Sequence, residues 1–487
     1  MSLSSSGTAT GTVPEGSTEQ WRDRKRYLWL LGLVVPSLVF GAIAGVEYTG
    51  WSVFYWLGPI IVFGVAPAID LMAGLDRTNP PDDVIEELEN DKYYRWITYL
   101  FLPIQYAGFV VAFWLIATGD LSVIDKIGLA ATVGAVGGIG INTAHELGHK
   151  REENERWLAK IALAQVAYGH FYIEHNRGHH VRVATPEDPA SSRLGENLYR
   201  FWPRTVGGSL KSAWHLEKKR YARKGQHPFR LGNDVLNAWM MTVVLWGGLV
   251  VWLGPSVLPF LALQALIGFS MLEIVNYLEH YGMLRQKVGR AGKERYERVA
   301  PSHSWNSNNI ATNVLLYHLQ RHSDHHANPT RRYQTLRDFE ESPVLPTGYM
   351  GMILVAMVPP LWRRLMDHRV VDHFGGDVRL ANVQPGKLDR LLRRYPVPAP
   401  VLAAEAASAA AREDAVAAAA AAALAQVDEV LAAKCPGCEY VYEVAAGNEL
   451  EGFAAGTAWA DIPDDWCCPD CGVREKVDFV PVAPAVA

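Results

Sequence analysis

The sequence predicts a mainly α-helical membrane protein with six spanning helices, a His-rich cap on one side and a small Cys-rich domain at the end. Three observations predict it. Six apolar runs of spanning length are separated by loops of unequal basic charge. Histidine and cysteine segregate: all 16 His lie at or before His373, and all five Cys lie at or after Cys435. Charge segregates too, because residues 434–487 carry 3 Lys+Arg against 10 Asp+Glu while the rest is nearly neutral. The averages over 487 residues, 49% hydrophobic with net charge −5, therefore describe neither part. They do exclude a strongly basic nucleic-acid binder and a mainly disordered chain.

Residues 1–20, rich in Ser, Thr and Gly, read as a disordered tail. A charged run at 22–26 then precedes an apolar stretch over about 27–46. That stretch is too long for a signal-peptide core and lacks a convincing cleavage site, so it reads as a retained spanning helix. Further spans are expected over 51–72, 96–118, 127–143, 236–253 and 256–277. At ~1.5 Å rise per residue such runs cross ~30 Å of hydrocarbon. Residues 150–230 hold 16 Lys+Arg, whereas the turns near 47–50, 119–126 and 254–255 hold few or none. By the positive-inside rule both termini and the large loops are cytoplasmic, so the fourth and sixth spans run inward. Residues 350–362 are apolar but too short to span, and are expected on the membrane surface or against the bundle. In residues 403–433, 18 of 31 positions are Ala. This composition predicts a helical tether of up to ~45 Å. The chain thus divides into 1–20, 21–395, a linker at 396–433 and a domain at 434–487.

The fourth span leads into His145-Glu146-Leu147-Gly148-His149. Positions i and i+4 share a helix face, so both imidazoles can meet one metal. Alone this is the HExxH pattern of zinc proteases, with Glu as general base. Two more clusters follow, Glu174-His175-Asn176-Arg177-Gly178-His179-His180 and His322-Ser323-Asp324-His325-His326, and His280 closes the sixth span. These motifs supply nine His, too many for a zinc site of three protein ligands and enough for two ions with four or five nitrogens each. Imidazole suits Zn, Cu, Fe and Ni, so ligand type alone does not choose. His170, His215, His227, His303, His318, His368 and His373 read as ordinary core or surface residues.

Together HELGHK, EHNRGHH, NYLEHYG and LQRHSDHH, in that order, resemble the integral-membrane alkane 1-monooxygenases of the membrane-bound desaturase and hydroxylase superfamily. The resemblance spans about residues 20–390. It implies a non-haem centre of two irons that uses O2 as co-substrate to hydroxylate a terminal C–H bond. The implied ligands are His145, His149, His175, His179, His180, His280, His322, His325 and His326. It also implies an n-alkane entering from the lipid bilayer and a bacterial inner-membrane setting. A fatty-acid or lipid desaturase, or an ω-hydroxylase, is the alternative on the same scaffold.

Metal-bound His passes its other N–H to a carboxylate or carbonyl, for which Glu146, Glu174, Glu279, Asp188 and Asp324 are candidates. Glu273 and Asn276, inside the sixth span, are expected to orient ligands or pass protons. On the fourth span Gly134, Gly138 and Ile141 form a stripe leading to His145. It reads either as room for an extended hydrocarbon or as close helix packing through small residues.

Cys435-Pro436-Gly437-Cys438 and Cys468-Pro469-Asp470-Cys471 form two CxxC knuckles. A cytoplasmic setting disfavours disulfides, and four thiolates suit either Zn or Fe. Tyr440, Tyr442, Trp459 and Ile462-Pro463-Asp464-Asp465-Trp466 make the segment resemble rubredoxin, which implies one Fe(Cys)4 centre passing single electrons. Where rubredoxins place Gly after the first knuckle this chain has Glu439, and Cys467 reads as a bystander thiol. The fusion implies a rubredoxin that feeds its own oxygenase. The absence of a dinucleotide-binding fingerprint implies a separate NAD(P)H-dependent flavin rubredoxin reductase. A zinc protease, or a zinc-binding interaction module at the Cys domain, fits nine His poorly.

Overall fold

The computed structural model describes residues 21–289, 294–404 and 430–482. The expected tail at 1–20 and most of the Ala-rich linker lie outside the described residues. Among the described residues six helices are long and apolar enough to cross a membrane: α1 (Leu28–Thr49), α2 (Ser52–Ala73), α3 (Lys92–Thr118), α4 (Val123–Gly148), α7 (Asp234–Leu253) and α8 (Pro255–Glu279). Each matches a predicted span, and the chain is a multi-pass membrane protein. Between them, α5 (Glu153–Ala164) and α6 (Leu198–Arg223) belong to the His-rich cap. After α8 come α9 (His322–Ala327), α10 (Tyr349–Ala356) and α11 (Pro359–His373).

Polar caps set where the spans start. Asp91 accepts from the Tyr93 backbone N–H at the start of α3, Ser122 from Asp125 at α4 and Asn233 from Val235 at α7. The helices outrun the apolar stretches that predicted them. Helix α4 continues past residue 143 to Gly148, which puts His145 on its last turn.

Helix α4 is the hub. Within its spanning window 94% of residues are buried, against 22% for α2 and α7, so the other spans ring it. Its small residues permit this. A Cβ on Gly134 would lie 2.8 Å from the Gln264 carbonyl oxygen of α8, and one on Gly138 would lie 2.9 Å from Met271 Sδ. The short apolar segment predicted near 350–362 packs on the bundle rather than spanning it. Helix α10 lies against α8, and Tyr349, Met352, Ile353 and Trp362 are core residues.

In the cap, β1 (Lys287–Val288) pairs antiparallel with β2 (Arg295–Tyr296). The Cys domain is a small antiparallel sheet in the order β4 (Val441–Glu443), β3 (Ala432–Lys434), β5 (Val480–Val482), with Ala433 opposite Tyr442 and Pro481. Ala432 and Ala433, read as linker from composition, are therefore strand residues of this domain. Its core joins the four paired Cys to Tyr442, Phe453, Ile462, Trp466 and Phe479.

Candidate metal centre

The fourth and sixth spans end at the same side of the bundle, where the two loop clusters meet them. All nine predicted His are buried there and divide into two groups: His145, His149, His175, His180 and His325 in one, His179, His280, His322 and His326 in the other. Within each group the offered nitrogens lie within 4.8 Å of one another. Helix geometry produces the division. On α4, His145 and His149 share a face, and on α9 His322 and His326 share one while His325 points to the other group. The second cluster uses a different device. Residues Phe171–Glu174 form one α-turn that runs into a π-turn, His175–His179. An α-helix would set residues 175 and 180 about 140° apart. The π-turn's i→i+5 repeat instead brings their Nε2 atoms to 3.0 Å.

The donor atoms fit metal ions. Nε2 atoms face each other at 3.2 Å between His180 and His325, 3.3 Å between His179 and His326 and 2.8 Å between His322 and His326. Nitrogens bonded to one metal at ~2.0–2.1 Å and at right angles sit ~3 Å apart. Among the described residues, the buried Nε2 atoms of His145, His149 and His280 have no hydrogen-bond partner, as atoms reserved for a metal would not. In the Cys domain Sγ separations of 3.8 Å (Cys435–Cys471) and 3.4 Å (Cys438–Cys468) approach the ~3.8 Å edge of a tetrahedron of sulfurs ~2.3 Å from a metal. Cys467 stands outside that group, as expected. Glu439 adopts φ +66°, the conformation Gly472 takes at the second knuckle, so the turn is kept at a steric cost.

The residues expected to support the rings separate into three outcomes. Asp188 accepts from His179 Nδ1 at 2.8 Å, which turns Nε2 toward His326, and Ser191 and the Ala190 N–H hold the carboxylate. Burial opposes its ionisation, yet His179 and Ser191 keep the Asp188 carboxyl well below the usual range. Glu279 Oε2 lies 3.1 Å from His322 Nε2, and its Oε1 is buried without a partner among the described residues. Glu273 accepts from Tyr168, Thr205 and Asn276, and so ties α8 to α6 and to the segment before His175.

Glu146 contradicts its expected role. It turns away from the rings, pairs with Lys150 at 3.0 Å and accepts from the Tyr333 N–H. This also removes the general base that a zinc-protease reading needs. Glu174 pairs with Arg182, and burial pushes its carboxyl up to about 8. Asp324 is held by Arg331 and Asn328. The sequence did not single out Ser304, whose hydroxyl lies 3.4 Å from His280 Nδ1. A lone Ser in a loop carries no spacing signal.

A cavity of about 50 Å³ reaches the rings of His145, His175 and His322 between α4, α8 and α10. Ile139, Leu272, Val275, Leu316 and Ile353 are among its walls, with Asn276 and Glu279 at the polar end. Of the predicted channel stripe only Gly138 lines it. Gly134 is consumed by contact with Gln264, and Ile141 is a core residue. Close packing therefore accounts for the stripe better than a channel does.

The Cys domain sits directly over this end of the bundle. Arg151 donates to the Cys438 carbonyl oxygen, Arg223 donates to the Glu451 carbonyl (2.6 Å) and carboxylate (2.9 Å), and Arg298 donates to Asp478 at 2.8 Å. A side chain at Gly472 would collide with the Asn176 carbonyl oxygen, between His175 and the rest of the second cluster.

Two architectures meet here, a histidine-lined membrane bundle and a small four-cysteine domain. Residues 127–356 match the fatty acid desaturase family and residues 432–479 match rubredoxin. The chain is similar to alkane 1-monooxygenase 1 of Alcanivorax borkumensis, at 48% identity over 76% of this chain and 91% of the relative. It is likewise similar to alkane 1-monooxygenases of Pseudomonas putida (45% identity, 78% of this chain, 94% of the relative) and Acinetobacter baylyi (46%, 77% and 91%). The chain belongs to the alkane 1-monooxygenase family of oxidoreductases and carries a C-terminal rubredoxin domain. The family implies non-haem iron at the His clusters, and rubredoxin implies iron at the four Cys.

Proposed function

We propose that the chain hydroxylates the terminal carbon of n-alkanes to 1-alkanols, with two irons at the nine-His site and electrons supplied singly by its rubredoxin domain. The reaction is RH + O2 + 2e⁻ + 2H⁺ → ROH + H2O. The observation that carries this reading is the apolar cavity that ends on rings of both His groups. The bound irons would supply the O2 activation that no side chain can.

The chain's own residues do the rest. Leu272, Val275, Leu316 and Ile353 exclude water and gain roughly 0.8 kcal/mol per buried CH2, which favours an extended chain lying along the cavity. The cavity is narrow, and flexible Met271 and Met350 side chains line it, so rotamer changes widen it for substrate. Asp188 and Ser304 fix the orientation of His179 and His280. Glu279 and the Asn276 amide, which Glu273 fixes, form the polar end of the cavity.

The basic face of the cap supports a cytoplasmic placement of the site, both termini and the rubredoxin domain at a bacterial inner membrane. Residues 396–431 act as a tether, and a separate NAD(P)H-dependent flavin rubredoxin reductase starts the electron chain. The test is to supply electrons and a series of n-alkanes, then identify products by position. The expected products are 1-alkanols. Alkenes would favour a desaturase, and selective oxidation of fatty acids at the ω carbon would favour an ω-hydroxylase.

A further inference from the structure

The rubredoxin iron site has two sides. Inward, the four Cys pack on Tyr442, Phe453, Trp466 and Phe479. Outward, both knuckles abut the membrane domain: the Cys438 carbonyl accepts from Arg151, and Gly472, next to Cys471, lies against the Asn176 backbone. Three acidic residues ring that outward side. Arg223 grips Glu451, Arg151 and Arg156 flank Asp470 at 3.8 and 3.9 Å, and Arg295 and Arg298 hold Asp478. All five arginines come from the membrane domain. The docked arrangement is thus the one that places the Cys cage beside the His clusters, and the membrane domain covers the outward approach to the sulfurs that a second protein would use.

We propose that Glu451, Asp470 and Asp478 form one shared docking face, used alternately by the arginines of the membrane domain and by a basic surface of the flavoprotein that reduces the rubredoxin. This rests on the electron-transfer reading above. Each visit to the flavoprotein moves one electron from reduced flavin to ferric Fe(Cys)4, and each return passes that electron to the His site, so one hydroxylation takes two cycles. The five arginines stay about a third to a half exposed and the Asp470 contacts are long, at 3.8 and 3.9 Å, so salt reaches this face in part, which suits a contact that must be left and remade at every electron.

A charge swap at the Arg223–Glu451 pair separates the two uses. The full-length chain in lipid nanodiscs is mixed with an NAD(P)H-dependent flavoprotein rubredoxin reductase, and both reductase affinity and the visible absorbance of the rubredoxin are followed. Arg223→Glu is expected to slow internal electron transfer severalfold, while reductase affinity rises because the acidic face is freed. Glu451→Arg is expected to weaken both steps. In the double variant Arg223→Glu/Glu451→Arg internal transfer recovers, but the reductase still binds severalfold more weakly than to the unmodified chain. Unchanged reductase affinity across all three variants would overturn the shared face. Failure of the underlying reading shows itself separately: the unmodified chain, reduced by dithionite, would then not reoxidise faster when alkane and O2 are added.

Discussion

At the scale of single residues, the nine clustered His were legible because their spacing is periodic, whereas the sequence offered their supports only as a set of candidates and did not show which ring each one meets. Asp188 stands nine residues from His179, with no helix to link them, and only the fold brings its carboxylate to Nδ1. Replacing it with Ala should free the ring to turn and weaken metal binding at the four-His group by roughly 10–100-fold, measured by competition with a chelator. Unaltered metal affinity would show that His179 is oriented by packing alone. Glu146 is the opposite case. Its position between two ligands suggested chemistry, yet its helix face points at Lys150 and Tyr333, because residues i and i+1 point about 100° apart. Glu439 was legible as a departure from glycine, and its φ of +66° gives that departure a cost. Glu439→Gly should stabilise the rubredoxin domain by roughly 0.5–1 kcal/mol, read as a higher midpoint in the loss of visible absorbance on heating.

Elements were legible to within a few residues, as apolar length predicts spans directly. What composition missed were departures from ideal repeats. The π-turn at His175–His179 has no apolar pattern, and β3 begins within an Ala-rich run that looks helical by itself. The stripe on α4 shows how a spacing pattern admits two readings that only neighbours decide. Since Gly134 touches the Gln264 backbone, Gly134→Leu should lower folded yield and reduce activity equally for all chain lengths. A selective loss of long alkanes would restore the channel reading. A polar tie holds the N-terminal end of α1 to the third cluster: Lys25 bonds Asp76 at 2.6 Å and His318 at 3.1 Å, and Arg321, next to His322, donates to the Asp76 and Thr78 carbonyls. Burial opposes ionisation of Asp76, but Lys25 and Thr78 bring it down to about 2 from 3.8. A carboxyl lowered in the folded state stabilises fully above its unfolded value, and the gain is lost as pH falls through the folded one. Asp76→Asn should therefore lower thermal stability at pH 7, and the gap to the unmodified chain should close as pH falls from about 4 toward about 2.

At the scale of the whole molecule, the two unequal parts of the sequence are the two ends of the proposed electron path. The segregation of His, Cys and charge announced two parts, and the structure sets the acidic second part against arginines of the first. Which arginines receive it was not legible, since Arg151, Arg223 and Arg298 are scattered along the chain and look alike among many. Because the arginines are part-exposed and the docking is charge-guided, turnover should fall with rising ionic strength more steeply than alkane binding does. Internal electron transfer that ignores salt would contradict charge-guided docking. The central claim remains that nine His hold two irons, five ligands to one and four to the other, beside a third iron in the four-cysteine cage. Elemental analysis of the purified full-length chain tests it most directly. The account predicts about three irons per chain, falling to about two in His149→Ala with the rubredoxin absorbance intact; zinc in place of iron, or a single metal at the His site, would contradict it.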